Sequence, residues 1–287
     1  AIESRMQELD SSTARNYTAK SAFDISLHDI AAKAANKPLY AYLGGSVKKI
    51  VSDLTIGIDS PTNMAAQAIE FVQQNVATIK VKLGKDPATD IERIKAIRTA
   101  IGNKTNIRID ANQGWSYEDA IIALTELGKY NIEFCEQPMR TYNDELLPKL
   151  CIKSPIPLMA DESVYTHHDA ERIIRNKACA SINIKFAKSG GIAEAIKINE
   201  VAEKNNTPCM MGGMLESRLA LTAKVHFAMA NTNIIYYDLD TCLLGHKIDP
   251  VLGGAKYSGM ELIVTDEPGI GASVDPSFLQ TLESTTI

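Results

Sequence analysis

Three short apolar segments of the chain each end on an acidic residue, and the spacing between these acids is nearly constant. The acids are Asp110, Glu136 and Asp161, which follow one another at intervals of 26 and 25 residues. Each interval can hold one strand, one helix and two loops. If the segments are parallel neighbouring strands, as their apolar composition indicates, the acids converge at one end of a sheet. Three carboxylates suit a hard divalent cation, and the sequence therefore predicts a Mg²⁺ site.

A second interpretation is that each acid caps the helix that follows its strand. For a single acid this is the more ordinary interpretation. Three acids in register, each at the end of an apolar strand, favour a metal site, because barrel active sites lie at strand ends.

Eight apolar segments alternate with seven helical segments between residues 54 and 238. The predicted strands are 54–58, 78–83, 106–112, 131–136, 157–161, 181–186, 207–211 and 234–238. The helix after the fourth strand is predicted to be short and to begin near Tyr142. The regular alternation favours an α/β fold, a modified TIM-type (β/α)7β barrel. A doubly wound open sheet is the alternative.

The two ends of the chain do not follow this repeat. Residues 1–48 have mainly helical spacing, with a break at Pro38, and residues 246–287 are rich in Gly and Pro and resemble loops. We therefore expect a barrel over residues 49–245. The N-terminal helices and the C-terminal tail are expected to form a partial capping domain packed on it.

Composition excludes several classes of function. The chain of 287 residues has a net charge of −5 and no basic face, which predicts no nucleic-acid partner. No apolar run approaches the roughly 20 residues that span a membrane. The cysteine count is odd, without a C-x-x-C pair, which favours a reducing cytoplasm. The cysteines are Cys135, Cys151, Cys179, Cys209 and Cys242.

Charged side chains also occur inside two of the predicted strands. Lys80 and Lys82 lie on the second strand and point the same way, whereas Lys185 lies on the sixth. These two strands stand opposite each other in an eight-stranded barrel. The lysines therefore face one cavity from both sides, which suggests proton transfer. The alternative is that they only neutralise the acids, because buried charges are usually paired.

A substrate carboxylate on the metal would hold its α-carbon between Lys82 and Lys185. One amine could remove the α-proton while the other returns a proton to the opposite face, which inverts the carbon. The ordinary lysine pKa is about 10.4. A nearby cation, such as Lys80 or the metal, lowers that pKa toward working pH. The metal would also stabilise the charge of an ene-diolate.

Several motifs taken together resemble the enolase superfamily, in its muconate-lactonizing-enzyme-like branch, over residues 21–279. They are Lys80-Val-Lys82, Asp110-Ala-Asn112-Gln-Gly-Trp115, Glu136-Gln-Pro138, Ala160-Asp161-Glu162-Ser163 and Lys185-Phe-Ala-Lys188-Ser-Gly190-Gly191. A lysine base with Mg²⁺ is the general pattern of that superfamily. The resemblance implies that the three acids bind Mg²⁺. It also implies that Lys82 and Lys185 are the acid/base residues for the S and R epimers, respectively.

Fold and metal do not determine which reaction such a protein catalyses. The residues at the end of the eighth strand help to choose among the reactions. Asp238 and Asp240 face the same side and could bind the α-ammonium of a dipeptide whose carboxylate is on the metal. This Asp-x-Asp resembles the signature of the dipeptide epimerases. Residues 210–217, which include Met214, are similar to their substrate-lining loop. A solvated loop or turn cap is the alternative for the two acids.

The resemblance thus implies an isomerase that epimerises a dipeptide at the α-carbon of its C-terminal residue. Thr55 and Lys80 are expected to line the substrate pocket, with Asn112 and Glu162 in supporting positions. The alternatives are an N-acylamino acid racemase, an o-succinylbenzoate synthase, a muconate cycloisomerase or a non-catalytic barrel. A homo-oligomer also remains open.

One departure from the family concerns the start of the chain. Family members begin with a region that is largely antiparallel sheet and closes over the barrel mouth. This chain is expected to start inside the helical part of that region. The preferred substrate side chains are therefore not assigned from the sequence.

Overall fold

The core of the protein is a sheet of eight parallel strands. The computed structural model describes residues 2–245 and 247–284. A first short strand, β1 (Ile50–Val51), lies outside this sheet. The sheet strands are β2 (Leu54–Ile56), β3 (Thr78–Lys82), β4 (Asn106–Asp110), β5 (Ile132–Glu136), β6 (Leu158–Ala160), β7 (Ser181–Ile184), β8 (Cys209–Gly212) and β9 (Ile234–Asp238). Each strand pairs with its chain neighbour, so the predicted barrel order is confirmed.

Helices connect the strands and also form both ends of the chain. They are α1 (Ile2–Ser12), α2 (Tyr17–Ala34), α3 (Leu39–Tyr42), α4 (Pro61–Gln73), α5 (Pro87–Ile101), α6 (Tyr117–Leu127), α7 (Leu147–Lys153), α8 (His167–Arg175), α9 (Phe186–Ser189), α10 (Ile192–Lys204), α11 (Arg218–Ala230) and α12 (Pro276–Leu279). Ser60, Asp86, Ser116 and Thr166 cap α4, α5, α6 and α8 through their side chains. No helix within the described ranges is long and apolar enough to cross a membrane.

The helix after β5 begins later than the sequence pattern predicts. Residues Thr141–Leu146 form a 3₁₀ turn, and the α-helix starts at Leu147 rather than near Tyr142. Asn143 has a φ of −107°, which interrupts the helical conformation. A second difference is α9, a single helical turn directly after Lys185, which the sequence pattern did not predict.

The main hydrophobic core lies between the strands and the helices around them. Inside the barrel is a smaller apolar cluster of Phe134, Met159 and Met210, with Tyr236 packed against it. The Arg108 guanidinium lies over the Phe134 and Tyr236 rings, 5.2 and 5.1 Å from their centroids. These side chains come from the middle part of their strands, and the barrel interior is therefore filled at that level.

A seam between residues 52–55 and 237–240 brings β9 back to β2. The Asp53 amide donates to the Tyr237 carbonyl at 3.1 Å, a backbone hydrogen bond across the seam. Side chains supply further links: Leu239 N donates to Ser52 Oγ at 2.8 Å. Thr55 N donates to Asp240 Oδ2 at 2.7 Å. Side chains thus contribute to closing the barrel at this place.

The C-terminal tail is more ordered than its loop-like sequence predicts. It forms β10 (Val251–Gly253), β11 (Lys256–Ser258), β12 (Glu261–Ile263) and β13 (Ala272–Val274). Strand β12 pairs antiparallel with both β1 and β11, and β10 pairs with β13. One partner of β12, strand β1, lies about 210 residues earlier in the chain, as in Ile50 opposite Leu262, so local pattern does not reveal that pairing. Of the predicted end segments, residues 1, 246 and 285–287 lie outside the described residues.

A buried carboxylate joins the N-terminal helices to the barrel. Asp24 on α2 accepts hydrogen bonds from the amides of Ile192 and Ala193, the first residues of α10. The α10 N-cap is Gly191, which has no side chain of its own to do this. Gly191 has a φ of +124°, and a Cβ there would lie 2.3 Å from Asp24 Oδ2. Asp24 is therefore the N-terminal cap of α10, supplied by another helix.

Substitution Asp24→Ala should lower the free energy of unfolding by about 3 kcal/mol, because it leaves the buried amide of Ile192 and the partly buried amide of Ala193 without this partner. Urea denaturation measures this loss. Asp86→Ala is the matched control: it removes an exposed cap within one element and should cost only about 1 kcal/mol. Equal losses in the two variants would contradict the role of Asp24 as a joint between elements.

Candidate active site

A cavity of about 370 Å³ opens at the carboxyl ends of the barrel strands. Its lining residues are Thr55, Lys80, Lys82, Asn112, Asp161, Glu162, Tyr165, Lys185, Lys188, Gly213, Met214, Leu215, Asp238, Asp240, Thr241 and Leu244. Ten of the twelve site residues that were predicted from the sequence are among them. The other two, Asp110 and Glu136, are fully buried and contact lining side chains.

The three acids at the strand ends do not cap helices. Asp110 and Glu136 are the last residues of β4 and β5, and Asp161 directly follows β6. The caps of α6 and α8 are Ser116 and Thr166 instead. The helix-cap interpretation of the acids is therefore wrong.

Two lysines on β3 contact the first two acids. Lys80 Nζ lies 2.7 Å from Glu136 Oε2 and 3.1 Å from Asp110 Oδ2, and Lys82 Nζ lies 2.7 Å from the same Asp110 oxygen. Lys82 also donates to Asn112 Oδ1 at 2.9 Å. Burial and the charge of Asp110 raise the pKa of Glu136 to about 8. Burial acts the same way on Asp110, but Lys80 and Lys82 outweigh it and lower its pKa to about 2.

Two further lysines contact Asp161 from the segment after β7. Lys185 Nζ lies 2.7 Å from Asp161 Oδ2, and Lys188 Nζ lies 2.5 Å from Asp161 Oδ1. Burial opposes ionisation, but these two cations hold the pKa of Asp161 well below its usual range. Burial also disfavours charge on Lys185, yet Asp161 and Glu136 raise its pKa. The ion pairing that the alternative interpretation of the lysines expected is therefore present.

The donor set fits a hard divalent cation. Glu136 Oε2 and Asp161 Oδ1 are buried and accept no hydrogen bond of regular geometry from the described residues, although each lies near an ammonium group. Both oxygens have lone pairs for a metal, and Asp110 supplies a third carboxylate. Carboxylate oxygens are the ligands that Mg²⁺ prefers. Nearby Glu162 Oε2 likewise accepts no hydrogen bond from the part of the chain that the structure describes, and burial and Asp161 raise the pKa of this group.

A second group of acids lies across the cavity, at the seam. One carboxylate oxygen from each of Asp53, Asp238 and Asp240 lies within 4.8 Å of the other two. In the part of the chain that the structure describes, no other three acids, His or Cys are so close together. The strand-end acids are more widely spaced, with lysine ammonium groups between them. The cavity therefore contains two acidic groups that attract a cation, the strand-end acids and the seam acids.

Asp238 and Asp240 are both held by hydrogen bonds. Asp238 Oδ2 accepts from Lys80 Nζ at 2.7 Å, and Asp240 Oδ2 accepts from Thr55 N at 2.7 Å. Burial and the charge of Asp238 raise the pKa of Asp240 to about 6. Burial acts on Asp238 too, but Lys80 outweighs it and lowers the Asp238 pKa. Both acids are buried, so neither is a solvated loop acid.

Met214 reaches the cavity from the loop after β8. Its amide donates to Glu216 Oε1 at 3.2 Å, and its carbonyl accepts from Thr241 Oγ1 at 2.8 Å. Glu216 in turn pairs with the fully buried Lys224 on α11. The Met214 backbone is thus fixed on both sides, while its side chain is about half exposed toward the cavity.

Close contact between two loops fixes the position of Lys82. Gly84, with a φ of +95°, would place a Cβ 2.0 Å from the Ala111 carbonyl oxygen. Gly114 would place one 2.0 Å from the carbonyl oxygen of Gly84. The loops after β3 and β4 can therefore touch only because both positions are glycine. This contact keeps Lys82 beside Asn112, which itself has a left-handed φ of 42°.

Three residues support the site although the sequence analysis gave them no role. Lys188 Nζ also donates to the carbonyls of Asp161, Val164 and Asn183. Gln137 Oε1 accepts from Asp161 N at 2.9 Å. Asn183 Nδ2 donates to Glu136 Oε1 at 2.6 Å. Lys188 and Gln137 stand inside motifs already singled out, but their partners come from other strands.

A larger cavity of about 670 Å³ lies elsewhere, between α1 and the helices α8 and α10. It contains none of the strand-end acids and none of the strand lysines. Because perturbed pKa values and convergent polar groups mark active sites better than volume does, the smaller cavity is the candidate site.

Sequence comparison shows which protein family this chain belongs to. Residues 1–44 match the N-terminal domain of the mandelate racemase/muconate lactonizing enzyme family. Residues 63–278, most of the chain, match the enolase C-terminal domain-like family. The chain belongs to the enolase superfamily. The resemblance stated from the motifs is thereby confirmed for both the barrel and the N-terminal helices.

Known relatives of this superfamily member include named epimerases. A D-Ala-D/L-Ala epimerase of Cytophaga hutchinsonii is 46% identical over 95% of this chain and 74% of its own length. An L-Ala-D/L-Glu epimerase of Clostridium acetobutylicum is 42% identical over 94% of this chain and 76% of its own.

A solved structure extends the likeness to three dimensions. The crystal structure of a dipeptide epimerase from Cytophaga hutchinsonii, complexed with Mg and the dipeptide D-Ala-L-Val, has a TM-score of 0.96 to this chain. It is 44% identical, and the match covers 98% of this chain and 77% of that one. The metal in that relative is the metal that the sequence predicts here.

The Mg²⁺ affinities of two variants distinguish the strand-end acids from the seam acids as the metal site. Glu136→Gln removes a charged ligand and should weaken Mg²⁺ binding at least about tenfold. Asp240→Asn changes the seam group instead and should leave Mg²⁺ affinity within about twofold of the unsubstituted protein, since a distant carboxylate acts only through screened charge. Isothermal titration calorimetry measures both. The reverse pattern would place the metal at the seam.

Proposed function

We propose that this protein is a Mg²⁺-dependent dipeptide epimerase. It inverts the α-carbon of the C-terminal residue by two-base 1,1-proton transfer. The observation that carries the proposal is the position of two lysines relative to the acids. Lys82 ends β3 and Lys185 follows β7, four strands away around an eight-stranded barrel, and both line one cavity. A carbon held between them presents one face to each amine.

The surroundings of the two lysines support complementary roles. Lys185 is almost fully buried, and the acids around it stabilise its ammonium form, which can donate a proton. Lys82 is partly exposed toward the cavity, where it contacts Asp110 and Asn112. The resemblance to the superfamily assigns Lys82 to the S epimer and Lys185 to the R epimer. Each amine then acts as base for one epimer and as acid for the other.

The acids at the strand ends would hold the metal, and their own contacts keep them in place. Asp110, Glu136 and Asp161 are each ordered by buried donors: Lys80, Asn183 and Lys188. When bound there, Mg²⁺ supplies positive charge that stabilises the negative charge developing on the substrate carboxylate. The protein fixes its ligands before the substrate arrives, which lowers the cost of reorganisation.

The seam acids favour a dipeptide over an N-acylated amino acid. Asp238 and Asp240 lie on the opposite side of the cavity from Asp161, buried and close together. A dipeptide carries a cationic α-ammonium at its far end, whereas an N-acyl group carries none there. Placing that cation on two buried carboxylates forms charge-assisted hydrogen bonds. The same two named relatives and the Mg complex support the choice by likeness.

Other expectations from the sequence stay predictions. They are the cytoplasmic location, the absence of a nucleic-acid partner, the homo-oligomer and the stated domain bounds.

Exchange in deuterated water tests the two-base assignment. Lys185→Ala should lower epimerisation of L-Ala-L-Glu at least about 10²-fold, because one face has lost its proton donor. Exchange of the α-hydrogen of the L epimer should persist through Lys82, while exchange of the D epimer is lost. Proton NMR follows both. Lys197→Ala, an exposed lysine on α10, is the control. Equal loss of exchange from both epimers would argue against separate faces.

The pH profile tests the role of Asp240. Its ionised form is needed to bind an ammonium, and its pKa is raised to about 6, so binding weakens as the pH falls through 6. We expect kcat/KM, which reports the free enzyme, to fall about tenfold per pH unit below that value. The bound ammonium lowers the Asp240 pKa, so kcat should fall only at lower pH. If kcat/KM and kcat both begin to fall at the same acidic pH, this assignment is contradicted.

A further inference from the structure

A third acid stands behind the two that are proposed to bind the substrate ammonium. Asp53, immediately before β2, is fully buried, and one of its carboxylate oxygens lies within 4.8 Å of one oxygen each of Asp238 and Asp240. It sits at the seam, where its amide bonds the Tyr237 carbonyl. Three carboxylates this close cannot all ionise without large repulsion, as paired acids show.

The hydrogen bonds around the three acids distinguish Asp53 from the others. Asp238 and Asp240 bond Lys80 and Thr55, as described above. Asp53 Oδ2 accepts from Arg108 at 2.9 Å. Its other oxygen, Oδ1, is buried and has no hydrogen-bond partner among the described residues. A buried oxygen without a partner is costly when charged, and less so when it carries a proton that it can donate.

The cation beside Asp53 is already shared. The Arg108 guanidinium also donates to Glu133 Oε2 at 2.6 Å and to the Tyr237 carbonyl at 3.2 Å. It also lies over the Phe134 and Tyr236 rings, which contact each other. One guanidinium therefore serves two carboxylates, and it cannot fully compensate an ionised Asp53.

Negative charge also accumulates on this side of the cavity. The carboxyls of Asp53, Asp238, Asp240 and Glu133 have Arg108 and Lys80 as their ion-pair partners. Lys80 is shared with two further acids of the cavity, so it cannot fully compensate the seam acids. An ionised Asp53 would add another buried negative charge, which is costly without a cation of its own.

We propose that Asp53 is a positioning residue that stays protonated and donates its carboxyl hydrogen to the Asp238–Asp240 pair. This hydrogen bond holds the pair in place and leaves it two negative charges for the ammonium. The inference rests on the proposed dipeptide function, because the pair is taken to bind the substrate there. Asp53 itself touches neither the substrate nor the reacting carbon.

The directions of the pKa shifts agree with this role. Burial and the charge of Asp238 raise the pKa of Asp53 well above its usual range, and Arg108 and Lys80 offset this only in part. The pKa of Asp240 is raised to about 6, and that of Asp238 is lowered.

Two substitutions separate a donated hydrogen bond from a supplied charge. Asp53→Ala removes the donor and should raise KM for L-Ala-L-Glu about tenfold with kcat little changed. Asp53→Asn keeps an N–H donor in the same place without a charge, and it should recover most of that loss. If Asp53→Asn raises KM as much as Asp53→Ala, then Asp53 acts as an anion and the proposal fails. It also fails if neither variant alters KM.

An infrared measurement does not depend on turnover or on the alanine variant folding. The difference spectrum between the unsubstituted protein and Asp53→Asn at pH 7 should show the carbonyl stretch of a protonated carboxylic acid. A carboxylate band in its place overturns the proposal. If no dipeptide is epimerised while the protonated band is present, the proposed function fails but the protonation state of Asp53 stands. If dipeptides turn over and the band is absent, only this inference fails.

Discussion

The ammonium group of Lys80 is the interaction on which the site depends. It is fully buried and lies within 3.1 Å of carboxylate oxygens from Asp110, Glu136 and Asp238. Burial disfavours its charge, yet these acids raise its pKa well above the usual value. A buried cation of this kind is stable only while its partners stay in place, and loss of one partner typically costs about 3–5 kcal/mol. Lys80 therefore ties the proposed metal side of the cavity to the proposed ammonium side.

Because Lys80 contacts acids on both sides of the cavity, it fixes the distance between the two sides. A dipeptide is long and carries opposite charges at its ends, so a site for it must hold an anion and a cation at a set distance. The acids of β4, β5 and β9 are placed on separate strands of one barrel. Because they share Lys80, their carboxylates cannot shift independently. The seam acids are not needed to form the barrel order itself, and fold alone therefore does not choose the reaction.

The sequence allowed the strand ends to be predicted because each strand is a local apolar run, and several of these runs stop at a charged residue. Asp110, Glu136 and Lys82 could be found this way, and so could the order of the eight strands. Residues that act through distant partners could not. Lys188 and Asn183 bond acids that lie 27 and 47 positions away, and Asp53 meets Asp238 only after the barrel closes. The pairing of β12 with β1 could not be predicted for the same reason, since it spans most of the chain.

The carboxylate of Asp24 has a consequence for how proteins of this kind can be recombined. It comes from the helical segment but caps α10, the helix that follows the Lys185 and Lys188 turn. Gly191 leaves the space that this carboxylate occupies. A chimaera that joins this barrel to the helices of another protein would have to bring an acid at the position of Asp24. The acid and the glycine must therefore be transferred together, although 167 positions separate them in the chain.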